Sequence, residues 1–175
     1  MHLHYIIDFA IFNYMKELFE KLFEQLDDVI AQYEKNNDLT LQKTHITIMG
    51  QLALLLHPEA KLDQLDLAAT RDLDAIVKGA NQTFLELKKQ LEKIHFIYDM
   101  DSEKIWLPQS YTTIHFYHSS KLVVDIVDPI FILISKALKA KEKNKKLMQQ
   151  ALKIFGKELK EKLTKEGADL AYFQK

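Results

Sequence analysis

The stretch Ala69-Thr70-Arg71-Asp72-Leu73-Asp74-Ala75-Ile76-Val77 sets two carboxylates one residue apart inside an apolar run. Extended backbone has a side-chain period of two, so both acids project to one face of a strand. Buried charges of like sign are strongly destabilising unless something compensates them, and a divalent cation is the usual remedy. A third acid, Asp125, sits in a similar run, Leu122-Val123-Val124-Asp125-Ile126-Val127. Three carboxylates on strand-like segments predict a metal site suited to phosphate chemistry.

Upstream, Thr44-His45-Ile46-Thr47-Ile48-Met49 alternates and is β-branched, which predicts a strand ended by Gly50. Gln51-Leu52-Ala53-Leu54-Leu55-Leu56-His57 reads as a short, largely buried helix stopped by Pro58. Residues 13–35 carry Met15, Leu18, Phe19, Leu22, Leu26, Val29, Ile30 and Tyr33 at helical spacing, and residues 59–69 form a polar connection. Asp72–Val77 is expected as one strand. A helix follows Gly79 to about residue 95, with Phe84, Leu87, Leu91 and Ile94 on one face.

Next come strand-like pieces at 95–98 and 104–107, on either side of a turn at Asp99-Met100-Asp101-Ser102. Segments 113–117 and 122–127 suggest a hairpin around His118-Ser119-Ser120-Lys121. Pro129 suits the first turn of a helix running to about residue 141. Met148, Leu152, Phe155, Leu159 and Leu163 then form the stripe of a second helix. This order predicts an α/β (or α+β) fold, a mixed sheet flanked by helices. Residues 1–128 would form the core with its N-terminal helix. Residues 129–175 would form a C-terminal, Lys-rich helical extension packed on it.

At 175 residues the chain can bury a proper core, and 47% hydrophobic with 28% charged residues places it in the globular class. The absence of Cys excludes disulfides, thiolate ligands and cysteine nucleophiles, which fits a reducing cytoplasm. The N-terminal run through Ile7 has no basic flank and is cut by Asp8, so neither a signal peptide nor a membrane span is expected. Charge is split along the chain. Residues 1–135 carry 12 Lys and Arg against 20 Asp and Glu, whereas residues 136–165 carry 11 Lys against 3 Glu. A basic helical segment beside an acidic body either holds a polyanion or presents a solvated lysine face. His57, His115 and His118 show no metal-ligand spacing and read as structural or exposed. Trp106, Tyr111 and Tyr117 are candidates for stacking a base or for packing the core.

Taken together, Met49-Gly50-Gln51, Asp72-Leu73-Asp74 and Asp125 resemble the nucleotidyltransferase superfamily with the DNA polymerase β-like fold. Within it, Gly50–His57 with Thr70–Asp74, and Asp128-Pro129 leading to the Lys-rich stretch through Lys143, look like the bacterial AbiEii/MenT-type toxins and their uncharacterised relatives. The resemblance spans roughly residues 44–145. It implies a cytoplasmic enzyme that moves a nucleoside monophosphate from an NTP to a hydroxyl acceptor such as tRNA or a protein, with an antitoxin as partner. It also implies one or two Mg²⁺ ions held by Asp72, Asp74 and Asp125. Gly50, Gln51, Lys121 and Lys136 would contact the triphosphate.

Two departures stand out. Gln51 occupies the place of a small Gly or Ser. The 21 residues between Gly50 and Asp72 exceed the compact spacing, so Pro58 to Ala69 reads as an insertion on the rim of the site. Two other readings stay open: a non-catalytic module of the same fold that binds nucleotide, RNA or a protein, and a metal-dependent glycosyltransferase using its Asp-x-Asp.

Overall fold

A computed structural model describes the backbone of residues 2–175, and the side chains of residues 12–59, 61–102 and 104–175. Within these residues lie seven α-helices, a four-stranded mixed sheet and a two-stranded sheet. The N-terminal helix α1 (His2–Asn37) is longer than its apolar stripe predicts. Phe19, Phe23, Leu26 and Ile30 are buried. Phe19 meets Phe96 edge-on at 5.1 Å between ring centroids, and Phe23 lies 6.1 Å from Phe116 and 6.0 Å from Tyr117. Such aromatic pairs hold α1 to the rest of the core through large buried surfaces. Glu34 near the end of α1 accepts the backbone N–H of Leu41 (2.7 Å) and pairs with Lys121. Those two partners hold its carboxyl below the usual range, with the Lys121 hydrogen bond contributing most.

Strand β1 (Thr44–Ile48) is followed by helix α2 (Gly50–Leu56), whose Leu52 through Leu56 are all buried. Such a continuous apolar run marks a helix covered all round. The polar connection after it contains one 3₁₀ turn, Ala60–Gln64, with Leu62 and Leu65 in the core.

The predicted single strand at 72–77 is two strands, β2 (Asp72–Leu73) and β3 (Ala75–Lys78), interrupted at Asp74. Backbone hydrogen bonding explains the break. The carbonyls of Arg71 and Leu73 accept from Ile97 (2.8 Å) and Asp99 (3.0 Å), while the carbonyl of Asp74 accepts from Met49 (2.8 Å). The chain therefore leaves the small sheet and enters the large one at Asp74.

Helix α3 (Asn81–Lys93) leads into β4 (Ile97–Tyr98), which runs parallel to β2. The strand expected at 104–107 is absent among the described residues. Ser102 there bonds back to the Asp99 carbonyl through both its N–H (3.1 Å) and its hydroxyl (2.5 Å), which winds 102–104 into a 3₁₀ turn.

Strands β5 (Thr113–His118) and β6 (Leu122–Val127) form the expected hairpin. Sheet order is β3-β1-β6-β5, with β6 parallel to β1 and the other pairs antiparallel.

Asp128 caps α4 (Pro129–Lys139) by accepting the Ile130 N–H at 2.9 Å. Helix α4 packs against α2, which places the start of the 129–175 segment on the core. The expected second helix is split into α5 (Lys145–Ile154) and α6 (Gly156–Lys165), because Gly156 turns the chain at φ +55°. A final turn, α7 (Leu170–Gln174), brings Tyr172 over Lys141 and Lys145. Among the described residues no helix is long and apolar enough to cross a membrane.

Candidate active site

A cleft of about 730 Å³ opens between the end of β1, the β2–β3 junction and helices α4 and α5. One wall is acidic. Asp74 sits at the junction, and Asp99 follows β4 at the register position beside it, since Asp72 pairs with Ile97 and Leu73 with Tyr98. The Asp74 carboxyl is within hydrogen-bonding reach of Asp99. Burial, then the charge of Asp99 and the hydrogen bond to it, push the Asp74 carboxyl up to about 6, with Asp72 adding a smaller push. Asp72 is exposed on the open side of the same cleft.

Gly50 makes this arrangement possible. Its φ is +67°, and a Cβ built there would fall 1.8 Å from Asp74 Oδ2. The Asp74 carboxylate thus occupies the space that any other residue at position 50 would fill with its side chain.

Asp99 is itself held by a buried web. Its Oδ1 accepts the N–H of Asp101 (2.8 Å), and its carbonyl accepts the Ser102 hydroxyl. Ser102 Oγ in turn accepts the Ala75 N–H (3.1 Å), and Tyr98 Oη donates to the Ala75 carbonyl (2.6 Å). Ser102→Ala is expected to cost about 1–3 kcal/mol by leaving the Ala75 N–H without a partner. Urea titration checks this, and an unchanged midpoint would contradict it.

The opposite wall is basic. Lys136 is half-buried facing Asp74, and Lys139, Lys143 and Lys146 follow it along α4 and α5. Burial lowers the Lys136 pKa, opposed by the charge of Asp74 and reinforced by that of Lys143. The connection at 58–69 borders the cleft. Asp66 pairs with Lys146, the Asp66 N–H donates to Gln150 Oε1 (3.2 Å), and Gln51 Nε2 donates to the Ala68 carbonyl (3.1 Å).

Of the residues marked by the sequence, the cleft gathers Gly50, Gln51, Asp72, Asp74 and Lys136. It does not gather Asp125 or Lys121. Asp125 lies on β6, two strands from β3, in register with Thr47 and His115, and its Oδ1 is 2.5 Å from His115 Nδ1. Its carboxylate therefore belongs to a His115 pair on the sheet and not to the acid cluster. Lys121 sits in the hairpin turn and is committed to Glu34. Gln51 lines the cleft, and its amide holds the 58–69 connection at Ala68. Arg71 lines the cleft as well.

The residue missed is Asp99. Its signal is the strand-like run Phe96-Ile97-Tyr98 ending directly in an acid, Asp99, at the point where the sequence predicts a turn. Trp106 and Tyr117 pack against the core. His57 Nδ1 accepts the Glu59 N–H (3.1 Å), and burial lowers its pKa.

The donor set suits a hard cation. All candidate ligands are carboxylate oxygens, and Asp74 and Asp99 crowd each other in a way a divalent ion relieves. Among the described residues no three His, Asp or Glu side chains converge to hold an ion by themselves. Two carboxylates with the remaining positions left to water and phosphate oxygens is the arrangement Mg²⁺ favours.

A pH effect follows for the metal-free protein. Because the folded-state pKa of Asp74 is about 6 against an ordinary 3.8, its protonated form favours folding. That stabilisation is complete below about 3.8 and is lost as pH rises through about 6. Asp74→Asn is therefore expected to raise Tm at pH 8 in EDTA, with the gain shrinking toward pH 4. Equal Tm values at pH 8 would contradict this.

Comparison of the chain with protein-family models, with curated proteins and with solved structures finds no match.

Proposed function

We propose that the cleft transfers a nucleoside monophosphate from an NTP to a hydroxyl acceptor, on a nucleotidyltransferase-like fold. The observation that carries this reading is the carboxylate pair Asp74–Asp99 facing the Lys136 wall across a cleft that begins at a glycine-ended strand. Asp74 and Asp99 would hold Mg²⁺. When bound, that ion supplies polarisation of the α-phosphate and neutralises charge on the leaving group.

The chain's own residues do the remaining work. Lys136, Lys139 and Lys143 hold the β- and γ-phosphates as point charges. Gly50 keeps the Asp74 carboxylate seated. The acceptor hydroxyl oxygen attacks the α-phosphorus, the bond to the bridging oxygen breaks, and pyrophosphate leaves. Asp72, the exposed acid, takes the hydroxyl proton. The lysines that continue along α5 and α6 suit an acceptor that is itself a polyanion, such as tRNA, by neutralising its phosphates.

Incubation with each labelled NTP, Mg²⁺ and total RNA tests the reading. A labelled RNA band that disappears in Asp74→Ala is the expected result, and a band of equal strength in that variant would overturn it. A nucleotide-binding module without turnover is the second reading, favoured by the lack of three converging acids among the described residues. Calorimetric NTP binding with no pyrophosphate from any acceptor would select it.

A further inference from the structure

We propose that the cleft selects its ligand by the number of phosphates it carries and is nearly indifferent to the base. The inference rests on the transferase reading only for the identity of the ligand as an NTP. Five cationic side chains line the cleft, Arg71, Lys136, Lys139, Lys143 and Lys146, the last of them paired with Asp66. A charge-assisted contact to each further phosphate is worth about tenfold or more in affinity.

The means of reading a base are sparse by comparison. Among the described residues no aromatic ring lines the cleft. Stacking a base on such a ring is worth roughly five- to a hundredfold, so its absence removes the largest base-directed contribution. The apolar lining is Ile105, Ile132 and Leu147 with small alanines, which cover a purine or pyrimidine face without direction.

The neutral side chains at the cleft that could reach a base edge are Gln51, Thr70, Ser135 and Asn144, and three of them already hold backbone groups. Gln51 Nε2 donates to the Ala68 carbonyl at 3.1 Å. Asn144 Nδ2 donates to the carbonyls of Ala140 (3.0 Å) and Lys136 (3.3 Å), closing the end of α4. Thr70 Oγ1 accepts the Asp72 N–H at 3.2 Å. Asn144 therefore has both amide hydrogens on backbone carbonyls and Gln51 one of its two, which leaves few directional groups free to discriminate between bases.

Isothermal titration of the full chain with ATP, GTP, CTP, UTP, ADP, AMP and inorganic triphosphate, each in Mg²⁺, tests the proposal. The four NTPs are expected to bind within about threefold of one another, and inorganic triphosphate within about tenfold of them. ADP is expected to bind about tenfold more weakly than ATP, and AMP more weakly again. Lys143→Ala should weaken all four NTPs and inorganic triphosphate by the same factor. One NTP binding more than tenfold tighter than the rest, or no binding of inorganic triphosphate, would overturn the inference.

Labelled transfer assays on the same preparations separate the two claims. Product from a single NTP would sink base indifference and uphold the transferase. Equal binding of all four NTPs with no product from any acceptor would do the reverse.

Discussion

Asp99→Asn is expected to slow pyrophosphate release from NTP by about a thousandfold, equivalent to about 4 kcal/mol of barrier, while Asp125→Asn leaves it within about twofold. The contrast follows from the register of the two sheets. Asp99 takes the next position after the β2–β4 ladder, which sets its carboxylate against Asp74. Removing one carboxylate of that pair halves the charge available to a cation. Asp125 is held by His115 two strands from β3, and an exposed pair of that kind is worth little to a distant site. Equal losses in the two variants would show that the acids converge differently from this account.

Gly50→Ala carries the second large effect, and it acts on folding and catalysis together. The left-handed backbone at φ +67° costs an alanine about 1–2 kcal/mol. The added Cβ also meets Asp74 Oδ2 at 1.8 Å and Asp74 Cγ at 2.6 Å, so the carboxylate must leave its seat. Overpacking of this kind typically adds about 1–3 kcal/mol. Loss of activity comparable to that of Asp74→Ala is expected, with a lower midpoint in urea. In the double variant Gly50→Ala/Asp74→Ala the carboxylate part of the clash should be relieved, while the backbone cost and the 2.8 Å approach to the Asp74 Cβ are retained. Simple additivity of the two single variants would rule out the contact as the cause.

Much of this was legible from residue patterns. Alternation in Thr44–Met49, the all-apolar Leu52–Leu56 and the stripe on α1 each follow from burial on one face or on all faces, and the sheet and helices bear them out. The Asp72–Asp74 pair was readable because charge inside an apolar run needs an explanation. Asp125 has that same local signature, yet pairing order decides which acids meet, and pairing order is not a local property. Asp99 was hidden for the converse reason. Its strand is two residues long, and its partner β2 runs on into β3 in sequence, so only the backbone hydrogen bonds reveal the switch at Asp74. Gly156, embedded in a continuous heptad-like stripe, likewise gave little warning that it divides α5 from α6.

Manganese EPR in the presence of ATP tests the central claim most directly, because the free-ion signal falls as Mn²⁺ binds. Wild-type protein is predicted to remove the ion with one tight site that Asp74→Asn and Asp99→Asn each weaken at least tenfold, while Asp125→Asn leaves it intact. Tight binding that survives loss of both Asp74 and Asp99, or no binding in the wild type, would contradict the cation site on which the proposed chemistry depends.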